Sequence, residues 1–173
     1  MNTQMKQTVA ASVKNFHLPR YEDIPNIGLY LEQTVNYINA YLSPLPEGAL
    51  TASMISNYVK KRLIANPVKK LYHREQIAYL FFIAVAKSVL SLDALTNFIR
   101  VQQQTYDLKV AYDYFAAELE NILLYTFEVK DTLDTIGRED TDEKRLLYSC
   151  IVAVTQKTYL EKSLTAMVQT ENL

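Results

Sequence analysis

The chain has little of what staples, coordinates or interrupts a fold. Its one cysteine, Cys150, excludes an internal disulfide and cannot build a thiolate cluster. Cys150 falls on the apolar face of a predicted helix and reads as a small buried hydrophobe. The two histidines, His17 and His73, have no carboxylate at ligand spacing beside either. A capping or surface role accounts for both, so no metal and no cofactor is expected. There are three glycines and five prolines, and every proline precedes residue 68. That scarcity predicts long uninterrupted helices. The longest apolar run, residues 77–85 with Tyr79 inside it, is too short to span a bilayer. Residues 1–16 lack the apolar stretch of a signal peptide. The expected place is the cytoplasm, with no membrane partner. No P-loop, G-x-S-x-G, H-E-x-x-H or paired C-x-x-C occurs. Glu118 and Glu120 sit at i and i+2, which do not face each other on a helix, so solvation is expected for them. The chain reads as something other than an enzyme.

What is present is apolar material, 49% of 173 residues, enough for a packed core. Net charge is −1, so any basic patch is local. One such patch organises the chain. Residues 51–74, TASMISNYVKKRLIANPVKKLYHR, hold six of the 18 Lys and Arg and no acid. Thr51 is a good N-cap type. At 100° per residue, Met54, Ile55, Tyr58 and Val59 share one side of the helix it starts. Ser53, Ser56, Asn57 and Lys60 share the other. Hydroxyl, amide and ammonium groups on one face suit base edges and phosphates. Asn66-Pro67 ends the unit, because proline cannot continue the ladder and pushes its predecessor out of the α region. Val68 to Tyr72 then reads as a short, basic, extended excursion.

Around it, Leu31, Val35, Ile38 and Leu42 mark an amphipathic helix over 27–42. His73, with Gln76 three residues on, starts a helix to about Leu90 that is apolar nearly all round and is expected to be the central buried element. Ser91 caps another, with Asp93 against its dipole. Two further helices follow, one over 107–127 and one carrying Leu146, Leu147, Cys150, Ile151 and Val154. Residues 1–20 are polar and read as frayed or as a minor helix.

The stretch from Ser56 to Leu95 resembles the MerR-type winged helix-turn-helix. The residues that carry the likeness are Leu63, Ile64, Pro67, Lys69, Lys70, Tyr72, Arg74, Ser91 and Leu92. It covers about residues 51–100. Arg62 stands where that pattern has a turn glycine, Val89-Leu90 precedes Ser91, and the wing is short. With LPRYEDIP at 18–25, the chain also looks like a bacterial family catalogued only as a domain of unknown function.

The resemblance implies an all-α fold with a minimal wing. Residues 1–104 would form the winged helix-turn-helix domain with an N-terminal helix. Residues 105–173 would form a C-terminal region of two helices for dimerisation or sensing. It implies a sequence-specific regulator of transcription bound to double-stranded DNA. Ser53, Ser56, Asn57 and Lys60 would face the major groove. Lys61, Arg62, Lys69, Lys70 and Arg74 would hold phosphates, with Tyr72 stacking on a sugar or touching phosphate. It further implies a homodimer. Leu108, Phe115 and Ile122 recur every seven residues, with Leu119 at the complementary position, as in a helix-pairing seam. Two other classes stay open: a non-enzymatic helical interaction module that has lost DNA binding, and a sensor of a small-molecule effector between the C-terminal helices.

Overall fold

The computed structural model describes residues 1–137 and 141–171, with side chains through Val168. Its architecture follows from one helix that is apolar on every side. α4 (Arg74–Ala86) buries ten of its thirteen residues, Gln76 to Ala78 and Leu80 to Ala86. A helix with no polar face has to be surrounded. α2 (Leu31–Leu42), α6 (Leu108–Thr126) and α7 (Asp142–Glu171) pack on it. α5 (Leu92–Thr105) lies against α6 and α7. A run of rings lines the interior: Tyr37 and Tyr41 meet Phe81, Phe81 meets Tyr112, and Phe82 meets both Phe98 and Phe115.

The caps sit where the side-chain chemistry predicts them. Ser91 Oγ accepts from the Ala94 N–H at 3.2 Å, and Gln76 Oε1 accepts from the His73 N–H at 2.7 Å. The only sheet among the described residues is an antiparallel pair, β1 (Leu29–Tyr30) and β2 (Leu71–Tyr72), with Leu29 opposite Tyr72. Gly28 precedes it at φ +79°, and a Cβ there would lie 3.0 Å from both Leu71 Cβ and His73 Cε1. Glycine is therefore required twice at this position, by conformation and by close approach.

Three expectations are corrected. Residues 1–20 are not a frayed tail. α1 (Thr3–Ala11) packs on α7, and Val9, Val13, Phe16 and Leu18 are buried in the core. The core also crosses residue 104: α4, from the first part, is enclosed by α6 and α7 from the second. Finally, Phe115, Leu119 and Ile122 are buried within this chain, and Leu108 is half-buried against the same core. Phe115 meets Phe82 edge-on at 5.5 Å. A seven-residue apolar spacing marks a buried helix face, and α6 turns that face inward. Among the described residues, no helix is long and apolar enough to cross a membrane.

Candidate nucleic-acid interface

α3 (Ala52–Lys60) starts at Thr51, whose Oγ1 accepts from the Met54 N–H at 3.2 Å. Ile55 and Tyr58 are buried and Val59 is half-buried, so the helix docks as its periodicity requires. Met54 is the exception on that side, at 38% exposure. Ser53, Ser56, Asn57 and Lys60 all point to solvent. The loop before α3 is held by a reciprocal pair: Asn39 Nδ2 donates to Leu50 O, and Leu50 N–H donates to Asn39 Oδ1, each at 2.8 Å.

The helix ends in a Schellman motif. Leu63 N–H donates to Tyr58 O at 2.9 Å and Arg62 N–H to Val59 O at 2.9 Å. Leu63 and Tyr58 are both buried in the same core. The residue in the left-handed position is Arg62, at φ +59°. Glycine is the usual occupant, because a Cβ there costs about 1 kcal/mol. The connector is then pinned from below: Gln76 Nε2 donates to Ala65 O at 3.1 Å and Asn66 O at 2.9 Å.

After Pro67 the chain makes a two-residue hairpin. Val68 N–H donates to Leu71 O at 3.0 Å, and Leu71 N–H donates to Val68 O at 2.9 Å. The central residues are Lys69 and Lys70, at φ +51° and +68°. Left-handed φ at both positions is the signature of a type I′ turn, which Asn-Gly fills without strain. Here two lysines fill it, again at about 1 kcal/mol each.

Among the described residues, four that are not glycine have positive φ: Arg62, Lys69, Lys70 and Glu128. Three of the four are cations of this segment. Lys60, Lys61, Arg62, Lys69 and Lys70 are all exposed, and none forms an ion pair among the described residues. Arg62 also borders a broad polar cleft of about 730 Å³ that holds Glu75 and Asp107.

The sequence matches a known family over more than half of its length. The chain belongs to the family described as Domain of unknown function (DUF1836). Its model matches residues 19–115, from the segment before α2 into α6. No curated protein and no solved structure matches the chain. The family span includes the whole of α3, the hairpin and α4.

Two expected contact residues are not at this surface. Tyr72 is buried at 4% exposure, and burial pushes its hydroxyl pKa up, so its ring stacks on nothing outside. Arg74 points at the 20–25 segment. Its Nε donates to Ile24 O at 2.9 Å, Nη2 to Glu22 O at 3.0 Å and Nη1 to Glu22 Oε2 at 2.6 Å. Its guanidinium also covers the Tyr21 ring at 5.5 Å. Lys109 closes on the same Glu22 at 2.8 Å. Arg74 is thus a tether, with its donors used inside the fold.

The histidines and cysteine have local accounts. His17 Nδ1 lies 3.1 Å from Asn15 O, and its ring meets Tyr41 edge-on. Burial pushes the Cys150 thiol up to about 11, away from nucleophilic reactivity. No cluster of His, Cys, Asp and Glu suited to a metal ion occurs among the described residues.

Proposed function

We propose that this protein binds double-stranded DNA through α3 and the Val68–Leu71 hairpin, as a MerR-like winged helix-turn-helix regulator of transcription. The observation that carries the reading is the placement of Arg62, Lys69 and Lys70. Each holds a cation at a backbone position that glycine or asparagine would occupy with less strain. Strain of this kind persists where something besides stability depends on the side chain. Phosphate contact gives such a reason, since each cation that neutralises a phosphate releases condensed counterions. Ser53, Ser56, Asn57 and Lys60 would then meet base edges and Lys61, Arg62, Lys69 and Lys70 the phosphates. The exposure of Lys60 and Lys69 favours this over an interaction module, in which they would be packed away. The reading carries a homodimer with it. Because the α6 face is internal, the dimer would form on the later turns of α7, where Leu160, Leu164 and Met167 are exposed.

The test is duplex affinity against salt. Lys69→Ala with Lys70→Ala should weaken binding to all sequences alike. The slope of log affinity against log salt should fall by about two units, near 0.9 per contact. Asn57→Ala should instead lower preference for the cognate site by about 1–3 kcal/mol and leave non-specific binding nearly intact. A slope identical to wild type in the double variant removes the hairpin from the interface.

A further inference from the structure

An apolar groove of about 360 Å³ opens between α5, α6 and the first turns of α7. Its walls include Leu90, Phe98, Val101, Val110, Ala111 and Leu147. It has depth as well as area. A second, smaller apolar cavity of about 50 Å³ lies behind it, bounded by Phe82, Tyr112 and Phe115. Phe98, Gln102, Ala111 and Leu147 line both. These four residues are the wall that the two spaces share. Apolar walls with nowhere for water to hydrogen-bond are poorly hydrated, and a space of this size takes a small organic molecule. Val110 and Leu146 stand 57% and 55% exposed at its edges, so the described residues do not cover it.

The mouth carries one cation placed for an anion. Lys144 Nζ lies over the Tyr114 ring at 5.0 Å, and Lys144 has no ion pair among the described residues. Both residues line the groove. The mouth also lies at the N-terminal end of a 30-residue helix, whose dipole favours negative charge there. Glu143 borders the groove too, so an anionic head is confined to the Lys144 side.

We propose that this groove binds a small amphipathic monocarboxylate, with its apolar body against Phe98 and Leu147 and its carboxylate at Lys144. No residue of α3 or the hairpin lines the groove, and the proposal does not depend on DNA binding.

The experiment is calorimetric titration of the full chain with octanoate and, as a head-group control, 1-octanol. Octanoate is expected to bind once per chain with a negative heat-capacity change. Octanol should bind about fivefold more weakly, the difference expected of one exposed charge pair. Lys144→Met keeps the apolar stem and should weaken octanoate about fivefold while leaving octanol unchanged. Ala94→Phe and Ala111→Leu narrow the groove and should abolish binding of both. Methyl resonances of Ala94 and Ala111 give a second readout in the unmodified sequence: octanoate should shift both and leave Ala40 and Ala52 in place. Absence of octanoate binding overturns the proposal. So does equal loss of both ligands in Lys144→Met, or octanoate binding without movement of the Ala94 and Ala111 resonances. A dimer in sedimentation that Ala94→Phe dissociates would assign the groove to a second copy and overturn it as well.

Discussion

Arg62 and Arg74 stand twelve residues apart in one basic run, and the fold uses them in opposite ways. Arg74 meets a carboxylate, two backbone carbonyls and a tyrosine ring. Arg62 has no ion pair among the described residues and holds a left-handed backbone that its side chain does not favour. Lys69 and Lys70 resemble Arg62. The difference lies in what the fold brings near each cation. The 20–25 segment carries Glu22 to Arg74, and among the described residues no acid pairs with Lys69 or Lys70. A run of like charge is therefore two things here, a tether at its end and a set of free cations in its middle.

The comparison breaks first at the tether. Arg74→Ala removes three donors from a mostly enclosed site and leaves the Ile24 and Glu22 carbonyls without them. Stability should fall by about 2–3 kcal/mol in denaturant unfolding. The salt slope of DNA binding, measured where the variant is folded, should stay at the wild-type value. A slope lowered by about one unit would return Arg74 to the phosphate-contacting set.

The hairpin sharpens the comparison in the other direction. Lys69→Asn with Lys70→Gly installs the residues a type I′ turn favours. Stability should rise by about 1–2 kcal/mol through relief of two left-handed side chains. Duplex affinity should fall, with a slope about two units lower. Gain of stability with loss of binding is the signature expected if the strain serves a contact. A gain of stability with binding intact would reduce the two lysines to a solvated turn.

Much of this architecture was legible in local chemistry. The Thr51 and Ser91 caps, the polar face of α3 and the all-round apolar α4 each have a signature within a few residues, whereas α3 stops at Lys60 in the motif around Arg62 and not at Asn66-Pro67. What escaped has no local signature. Arg74 finds Glu22 fifty-two residues back, and only the fold brings them together. The seven-residue spacing in α6 is the same whether the face meets a second chain or its own core. The left-handed turn is announced by Asn-Gly in most hairpins, and that announcement is missing here because lysines occupy it. Only the packing of the first segment was there to be found: Val9 on α1 and Val13 and Phe16 in the chain just after it recur at i, i+4 and i+7.

A smaller effect comes from a carboxylate with neither treatment. Glu118 and Glu120 are two residues apart on α6, and neither is simply solvated. Glu120 takes a bidentate contact from Arg20, at 2.8 Å for each oxygen. Glu118 is 4% exposed, and its Oε2 has no hydrogen-bond partner among the described residues. Burial pushes the Glu118 carboxyl pKa up from its ordinary 4.5, opposed by the hydrogen bond with Asn121 and the charge of Lys130. A carboxyl raised in the folded state binds its proton more tightly there than in the unfolded chain. Wild-type stability therefore has its full contribution from this group below about pH 4.5, and loses it as pH rises through the folded value. Glu118→Gln removes the charge and keeps the shape. It should leave stability nearly unchanged at pH 4 and raise it at pH 7 by about 1 kcal/mol, the scale of one unpartnered buried polar group. Denaturant unfolding of both proteins at the two pH values measures the difference. A gain equal at pH 4 and pH 7 would mean that shape or packing, and not the buried charge, is what the substitution changes.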